Sequence, residues 1–176
     1  MSEDTAAPAA THPGITIHRA ADAPSLVESG CIHVENPDGP EGAGLRRLME
    51  AGYGDADEIR VLANLPGFSL MHAWFKPNAP LPLHSHDADC LYFIVSGSLR
   101  LGTEDLGPRD TFFVPCDVPY TYKVGPEGVE VLEFRHAGHV NFVNLVKGTA
   151  WWDKAVQQVL DNREAWPTAR RPALNV

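Results

Sequence analysis

Hydrophobic and polar residues alternate with a period of two through most of the middle of the chain, in short runs at 59–62, 68–75, 91–95, 98–102, 111–114, 121–124 and 129–135. Pro, Gly, Asn and Asp punctuate these runs, and no helical spacing falls between them. Alternation sends successive side chains to opposite faces, so the pattern predicts many short antiparallel strands in a sandwich or barrel rather than a parallel sheet with crossover helices. Weaker alternation at 15–18 and 31–34 predicts short outer strands, and Asn36-Pro37-Asp38-Gly39-Pro40 between segments of this kind reads as a turn. Helical spacing occurs twice. Residues 44–51 put Leu45, Leu48 and Met49 on one side, with Gly52 just past the end. Residues 151–162 put Trp152, Ala155, Val156 and Val159 on one flank and Asp153, Lys154, Gln157 and Asp161 on the other, which predicts a terminal helix packed on the outside of the barrel or on a partner. An extended arm is expected after Trp166.

The stretch 83–97 combines strand patterning with a metal-ligand spacing. His84 and His86 are two apart, so on a strand both imidazoles point to one face and reach a common point. The same parity carries Ala88, Cys90, Tyr92 and Ile94 to that face and Leu91, Phe93 and Val95 to the other, and Gly97 is expected to end the strand. A strand apolar on both sides, with imidazole, thiol and phenol on one of them, fits a closed sheet with a site inside.

The rest of the composition narrows the setting. A chain of 176 residues, 44% hydrophobic and 21% charged, is read as one soluble domain with enough length for a sizeable core. A formal charge of −9 argues against nucleic acid, because phosphates would be repelled. No apolar run reaches the ~18 residues of a membrane span, and the N-terminus lacks the basic and apolar regions of a signal peptide, so a cytoplasmic location is expected. Cys31, Cys90 and Cys116 have no CxxC spacing and are expected as reduced thiols. Residues 1–13, rich in Ala, Pro, Ser and Thr, are expected to be disordered. The expected organisation is this tail, a barrel domain over 14–148, and a helix with its arm over 149–176.

Over roughly residues 68–136 the chain resembles a single-domain cupin of the RmlC-like kind. That family's first motif runs Gly, five residues, His-x-His, three or four residues, Glu, six residues, Gly; here His84, His86 and Gly97 match, Asn78 takes the first glycine position and Cys90 the glutamate position. The second runs Gly, five residues, Pro-x-Gly, two residues, His, and residues 109–120 fit it in register, with Pro115 matching, Asp117 in a glycine position and Tyr120 in the histidine position. Asn and Asp are the residues that best replace glycine at positive φ, so the fold is expected to survive. The resemblance implies an all-β, antiparallel cupin barrel of jelly-roll type, with a short N-terminal helix and a C-terminal helix, commonly paired as a homodimer. A partner is also expected to cover Trp151, Trp152 and the apolar flank of the last helix.

The resemblance further implies one divalent transition metal, with ferrous iron favoured and zinc, manganese, nickel or copper as alternatives, held by His84, His86, Cys90 and Tyr120. Imidazole, thiol and phenol suit zinc or ferrous iron better than calcium or magnesium. Each residue also has a plainer role open to it. Cys90 is a ligand or a small buried hydrophobe, Tyr120 a ligand, a catalyst or a cap on the barrel mouth, and Tyr92 a packing residue or, by its position two after Cys90, similar to the catalytic tyrosine of cupin dimethylsulfoniopropionate lyases. Glu133 and His136 have opposite parity, so one at most faces inward on a regular strand, and the resemblance to the way cupin barrels close favours Glu133, as a further ligand or general base. His72 and Trp74 either line the pocket or face a partner. The expected activity is that of a metal-dependent enzyme on a small organic molecule. A non-haem iron dioxygenase of a carbonyl, phenolic or thiol compound comes first; a lyase, isomerase or cyclase using tyrosine or glutamate as acid or base, and a non-catalytic binding or sensing module, are the alternatives.

Overall fold

The computed structural model describes residues 14–35 and 39–174. The expected tail 1–13 and Asn36 to Asp38 of the expected turn lie outside the described residues. The chain passes through α1 (Leu26–Ser29), β1 (Ile32–Glu35), α2 (Pro40–Glu50), β2 (Asp57–Leu65), β3 (Phe68–Phe75), β4 (His84–His86), β5 (Cys90–Leu101), β6 (Glu104–Leu106), β7 (Thr111–Val114), β8 (Lys123–Arg135), β9 (Val140–Asn144) and α3 (Ala150–Asn162).

Strands β2, β3, β8, β5 and β6 form one sheet in that order, and β7 pairs with the first residues of β5. A second sheet has the order β1, β9, β4, with β1 parallel to β9 and β4 antiparallel to it. Both sheets contribute to the wall of one internal cavity, and the outcome is the expected cupin-like antiparallel barrel with small helices. Alternation selects the inner face. On β5 Cys90, Tyr92, Ile94 and Ser96 are buried, and on β3 Ser69, Met71, Ala73 and Phe75 are buried.

Several strand limits differ from the sequence reading. Residues 15–18 form no strand; Ile15 makes an isolated bridge only. The runs 91–95 and 98–102 are one strand, because Gly97 does not end β5 but takes φ 73° within it, where its missing Cβ lets the carbonyl of Gly128 approach. The ladder to β8 shifts register on either side of this point, as at a bulge. The runs 121–124 and 129–135 likewise merge, from Lys123 onward, into β8. His84–His86 and Cys90 lie on different strands of different sheets, joined by a bend at Asp87 to Asp89, although the parity that turns Cys90 and Tyr92 inward is kept. Leu91 is 43% exposed, so the outer face of β5 is not uniformly buried. Strand β9 was not among the expected runs.

Helix α2 starts at Pro40, four residues before the expected start, because a proline at the first helical position supplies a suitable φ and lacks an N–H the helix would leave unpaired. It lies across one end of the barrel and lines the cavity with Leu45, Leu48 and Met49. The apolar flank of α3 needs no partner for its tryptophan: Trp152 is fully buried within the chain against α2, while Trp151 is half-buried. Beyond α3, Trp166 is buried with its Nε1 donating to the Pro77 carbonyl at 3.0 Å. Arg171 of the arm lies over the Trp74 ring and donates to Glu130 at 2.8 Å and Glu58 at 3.0 Å. Trp74 is therefore capped by this chain's own arm. His72, on the same outer side, pairs with Glu130 at 3.2 Å, so neither residue lines the cavity.

Gly44 is the contact point between α2 and α3. A Cβ there would stand 2.3 Å from the Trp152 ring, which is buried on all sides and has little room to yield. Gly44→Ala should therefore lower stability by about 1–3 kcal/mol even though alanine is the better helix former. Urea unfolding measures this, and a variant as stable as the parent would show that α2 is not held by this contact.

Candidate functional site

The site lies where β4 and β9 face the inner ends of β5 and β8. His84 is fixed through its backbone, since its N–H donates to the Tyr120 carbonyl at 3.1 Å and its carbonyl accepts from the Tyr120 N–H at 2.9 Å. That bridge brings the Tyr120 ring to 4.3 Å from the imidazole, and Phe142 of β9 stacks on the imidazole's other side at 4.4 Å and 11°. The Asp87 carboxylate accepts from the Asn141 N–H at 2.7 Å and side-chain amide at 2.9 Å, which fixes the carbonyl that His86 uses.

Both histidines are bound by the same ring nitrogen. Nδ1 of His84 lies 2.8 Å from the Pro82 carbonyl and Nδ1 of His86 lies 2.9 Å from the Asn141 carbonyl. A carbonyl only accepts, so each Nδ1 carries the proton and each Nε2 keeps a lone pair. Burial pulls both imidazoles below their ordinary value, His84 to about 4, so near pH 7 they are neutral. This is the form in which imidazole binds a metal, with the carbonyl on Nδ1 holding the ring in orientation. The donor atoms of His86, Cys90 and Glu133 also lie within 4.8 Å of one another, close enough to hold a metal ion. The Cys90 thiol is pushed up to about 12, first by burial and then by Glu133, so it would have to lose its proton to serve as a ligand.

Glu133 faces inward as favoured, and His136 is exposed. One oxygen of Glu133, Oε1, collects three hydrogen bonds: from the Tyr92 hydroxyl at 2.5 Å, Arg135 Nε at 2.9 Å and Arg135 Nη2 at 2.6 Å. Burial pushes the carboxyl up, but Arg135, His86 and Tyr92 more than offset this, so Glu133 sits below the usual carboxylate value and is ionised. The Tyr92 and Tyr120 hydroxyls are hydrogen-bonded to each other, and burial keeps both phenols well above their usual value. Proton counting fixes the direction. Tyr92 has one hydroxyl proton, the carboxylate takes it, and so Tyr120 must donate to Tyr92. The lone pairs of Tyr120 are then left for the cavity that both tyrosines line.

Arg135 was not among the sequence candidates, and it is the centre of this network. Besides Glu133 it reaches Met71 Sδ at 3.6 Å and approaches His86 Nε2 to 3.5 Å. The signal was present, because Glu133 and Arg135 share parity on one strand. Asn144 and Phe142 were missed with strand β9. Asn144 is paired in register with His84, accepts from the Val146 N–H at 3.1 Å, and leaves its buried Nδ2 with no partner. The cavity measures about 660 Å³ and, apart from these groups, is lined chiefly by aliphatic and aromatic side chains. This is the size range of pockets for drug-sized molecules.

No family model matches the sequence, and no curated protein matches it. Solved structures do resemble the fold. The polyketide cyclase RemF from Streptomyces resistomycificus is 17% identical, with 84% of this chain and 96% of that one aligned at a TM-score of 0.55. An RmlC-like cupin from Shewanella frigidimarina is 21% identical over 47% of this chain and 77% of its own, at a TM-score of 0.43. Identities this low bear on the fold alone. Among the described residues, no helix is long and apolar enough to cross a membrane.

The burial of His84 sets a pH dependence. Its value is about 4 in the folded protein and 6.5 ordinarily, so the unfolded chain binds the extra proton first as the pH falls. Metal-free protein should therefore hold its full stability above about pH 6.5 and lose it progressively towards pH 4, by up to about 3 kcal/mol from this residue. Urea unfolding across that range should show a shallower loss for His84→Gln, and an unchanged slope would place the cause elsewhere.

Proposed function

We propose that this chain is a metal-dependent enzyme with a cupin-like fold that moves a proton at a carbon beside a carbonyl group, as an isomerase, lyase or cyclase acting on a small, largely apolar molecule. The observation that carries this reading is the buried chain from Tyr120 through Tyr92 to Glu133, which opens on the same cavity as two imidazoles whose Nε2 atoms carry the lone pair, that of His86 standing 3.5 Å from Arg135 Nη2. The name of RemF, a polyketide cyclase, is in keeping with it.

The roles follow from the geometry. His86 holds the metal with Cys90 and Glu133, whose donor atoms stand within reach of it, and His84, on the same strand and in the same tautomer but outside that group of three, is taken as the further ligand, while Tyr120 is assigned to the proton chain rather than to the metal. When bound, the metal supplies Lewis acidity at the substrate's carbonyl oxygen. Tyr120 takes the proton from the neighbouring carbon on its free lone pair as it passes its own proton to Tyr92. Tyr92 in turn releases its proton to Glu133, which becomes a neutral carboxyl beside Arg135, while the electron pair of the broken C–H bond, and with it the negative charge, passes to the substrate's carbonyl oxygen. A concerted shift of this kind never isolates a phenolate in a site whose burial opposes one. Arg135 holds Glu133 ionised beforehand, and the aliphatic cavity wall excludes water from the reacting carbon.

A second reading, an iron dioxygenase, is favoured by the His86, Cys90 and Glu133 grouping, whose mixed donors suit ferrous iron. Oxygen uptake by iron-loaded protein with carbonyl, phenolic and thiol compounds would support that reading over proton transfer.

Protein purified without a His-tag should contain roughly one transition-metal equivalent per chain by elemental analysis. Unchanged metal in a His84→Ala, His86→Ala double variant would refute the assignment. The proton chain is tested by following α-hydrogen exchange of 1-tetralone in heavy water by NMR. Tyr120→Phe and Tyr92→Phe should each slow exchange by about 10²-fold with metal content intact. Loss of metal in Tyr120→Phe would make Tyr120 a ligand instead, and exchange equal to the parent in both variants would leave the chain as a binding module.

A further inference from the structure

The cavity has a second polar end, remote from the histidines, which the proton chain does not use. Asp57 opens β2 opposite Phe75, the last residue of β3, and it lines the cavity together with Tyr53 and Tyr122. Tyr122 is buried and the other two are half-buried. Among the described residues, no group of the chain hydrogen-bonds the Asp57 carboxylate or either hydroxyl. Lys76, the nearby cation, is turned to the outer side, where it pairs with Glu58 at 4.0 Å and lies over the Trp74 ring. Burial pushes the Asp57 carboxyl up to about 6 against the pull of Lys76. A half-buried carboxylate without a donor is costly unless something in the cavity supplies one.

An aromatic wall connects the two ends. Tyr92, Tyr122 and Phe75 line the cavity, and Phe112 backs them: Tyr92 stacks on Phe112 at 4.4 Å and 7°, Phe112 meets Tyr122 edge-on at 6.0 Å, and Tyr122 meets Phe75 edge-on at 5.8 Å. Leu45, Leu48 and Met49 of α2 also line this cavity. Met71, which touches Arg135, and Phe75, which pairs with Asp57, are four residues apart on β3, or about 13 Å at ~3.3 Å per residue. A slot of that length, with flat rings on one side and, on the other, α2, which adds Arg46 and Glu50 to its apolar lining, selects for shape as well as for chemistry.

Resting on the reading of the histidine end as the reacting end, the geometry points to an elongated, planar aromatic ketone as the substrate, carrying at the end remote from its carbonyl a hydroxyl that donates to Asp57. Tyr53 and Tyr122 flank that hydroxyl. A compound without it leaves the Asp57 carboxylate unpaired, and this makes Asp57 a specificity-determining residue rather than a catalytic one.

Calorimetric titration of the full-length protein at pH 7 with 6-hydroxy-1-tetralone and 1-tetralone tests this. The hydroxylated ketone should bind at least tenfold more tightly, the expected size of a hydrogen bond to a charged group. Asp57→Ala should abolish the preference, bringing the affinities for the two ketones to within about twofold of each other. Should that variant fail to fold, the isosteric Asp57→Asn should reduce the preference severalfold. Equal affinities for the parent protein, or a preference that survives substitution, would overturn the assignment. The readout is binding, so it is independent of exchange: a preference lost on substitution supports the Asp57 end even where the tyrosine variants exchange like the parent.

Discussion

The ion pair between Glu133 and Arg135 is the constraint on which the rest of the site depends. Both groups are almost fully withdrawn from water, and burying either alone would be costly by several kcal/mol. Two guanidinium nitrogens on one carboxylate oxygen stabilise the pair and hold it in one orientation. That oxygen is the only reason Tyr92 must donate towards β8, and the Tyr92 proton is the only reason Tyr120 must donate towards Tyr92. Reversing the polarity of the pair would reverse the tyrosine chain. The same guanidinium lies near His86 and helps burial to hold that imidazole neutral, so one cation serves both the proton chain and the ligand form of the histidine.

The fold was legible where local backbone chemistry and alternation agree. Asn78, Arg109 and Asp117 are the non-glycine residues with positive φ among the described residues, and each occupies a motif position that is ordinarily glycine. For Asn78 and Asp117 the sequence already announced the tolerance. Arg109 gave no such sign, because arginine has no special affinity for the left-handed region and is held there by its turn, with its N–H on the Ile94 carbonyl. Gly97 was misread for a related reason. A glycine with positive φ ends many strands, but here it lets two long strands cross closely and continue, a distinction set by Gly128 on the other strand rather than by any neighbour in sequence.

The site was legible along single strands and illegible across them. Parity alone turns His84, His86, Cys90 and Tyr92 to one face, whereas for Glu133 against His136 it says only that one at most faces inward, and the likeness to a cupin barrel made the choice. Arg135 shares the parity of Glu133 two residues along the same strand, a signal that a comparison of Glu133 with His136 alone does not use. Phe142, Asn144 and the carbonyls of Pro82 and Asn141 had no such signal, since their relevance arises from which strand lies beside β4, a fact of long-range pairing. The same limit explains the last helix. Its apolar flank correctly called for a covering surface, but only the packed chain shows that the surface is α2, where Gly44 makes room for Trp152.

That contact ties chemistry and selectivity to different parts of the chain. The proton chain and the histidines all fall within residues 84–135, inside the stretch that carries the motifs. The far end of the cavity adds to Phe75 and Tyr122 of that stretch the residues Tyr53, Asp57 and those of α2, which precede it, and α2 is kept in place by α3, which follows it. The exposed ion pair between Arg47 and Asp153 adds little to that hold, so the burial of Trp152 must supply most of it. Changes in the flanking segments can therefore reshape the far end without disturbing the Glu133 and Arg135 pair.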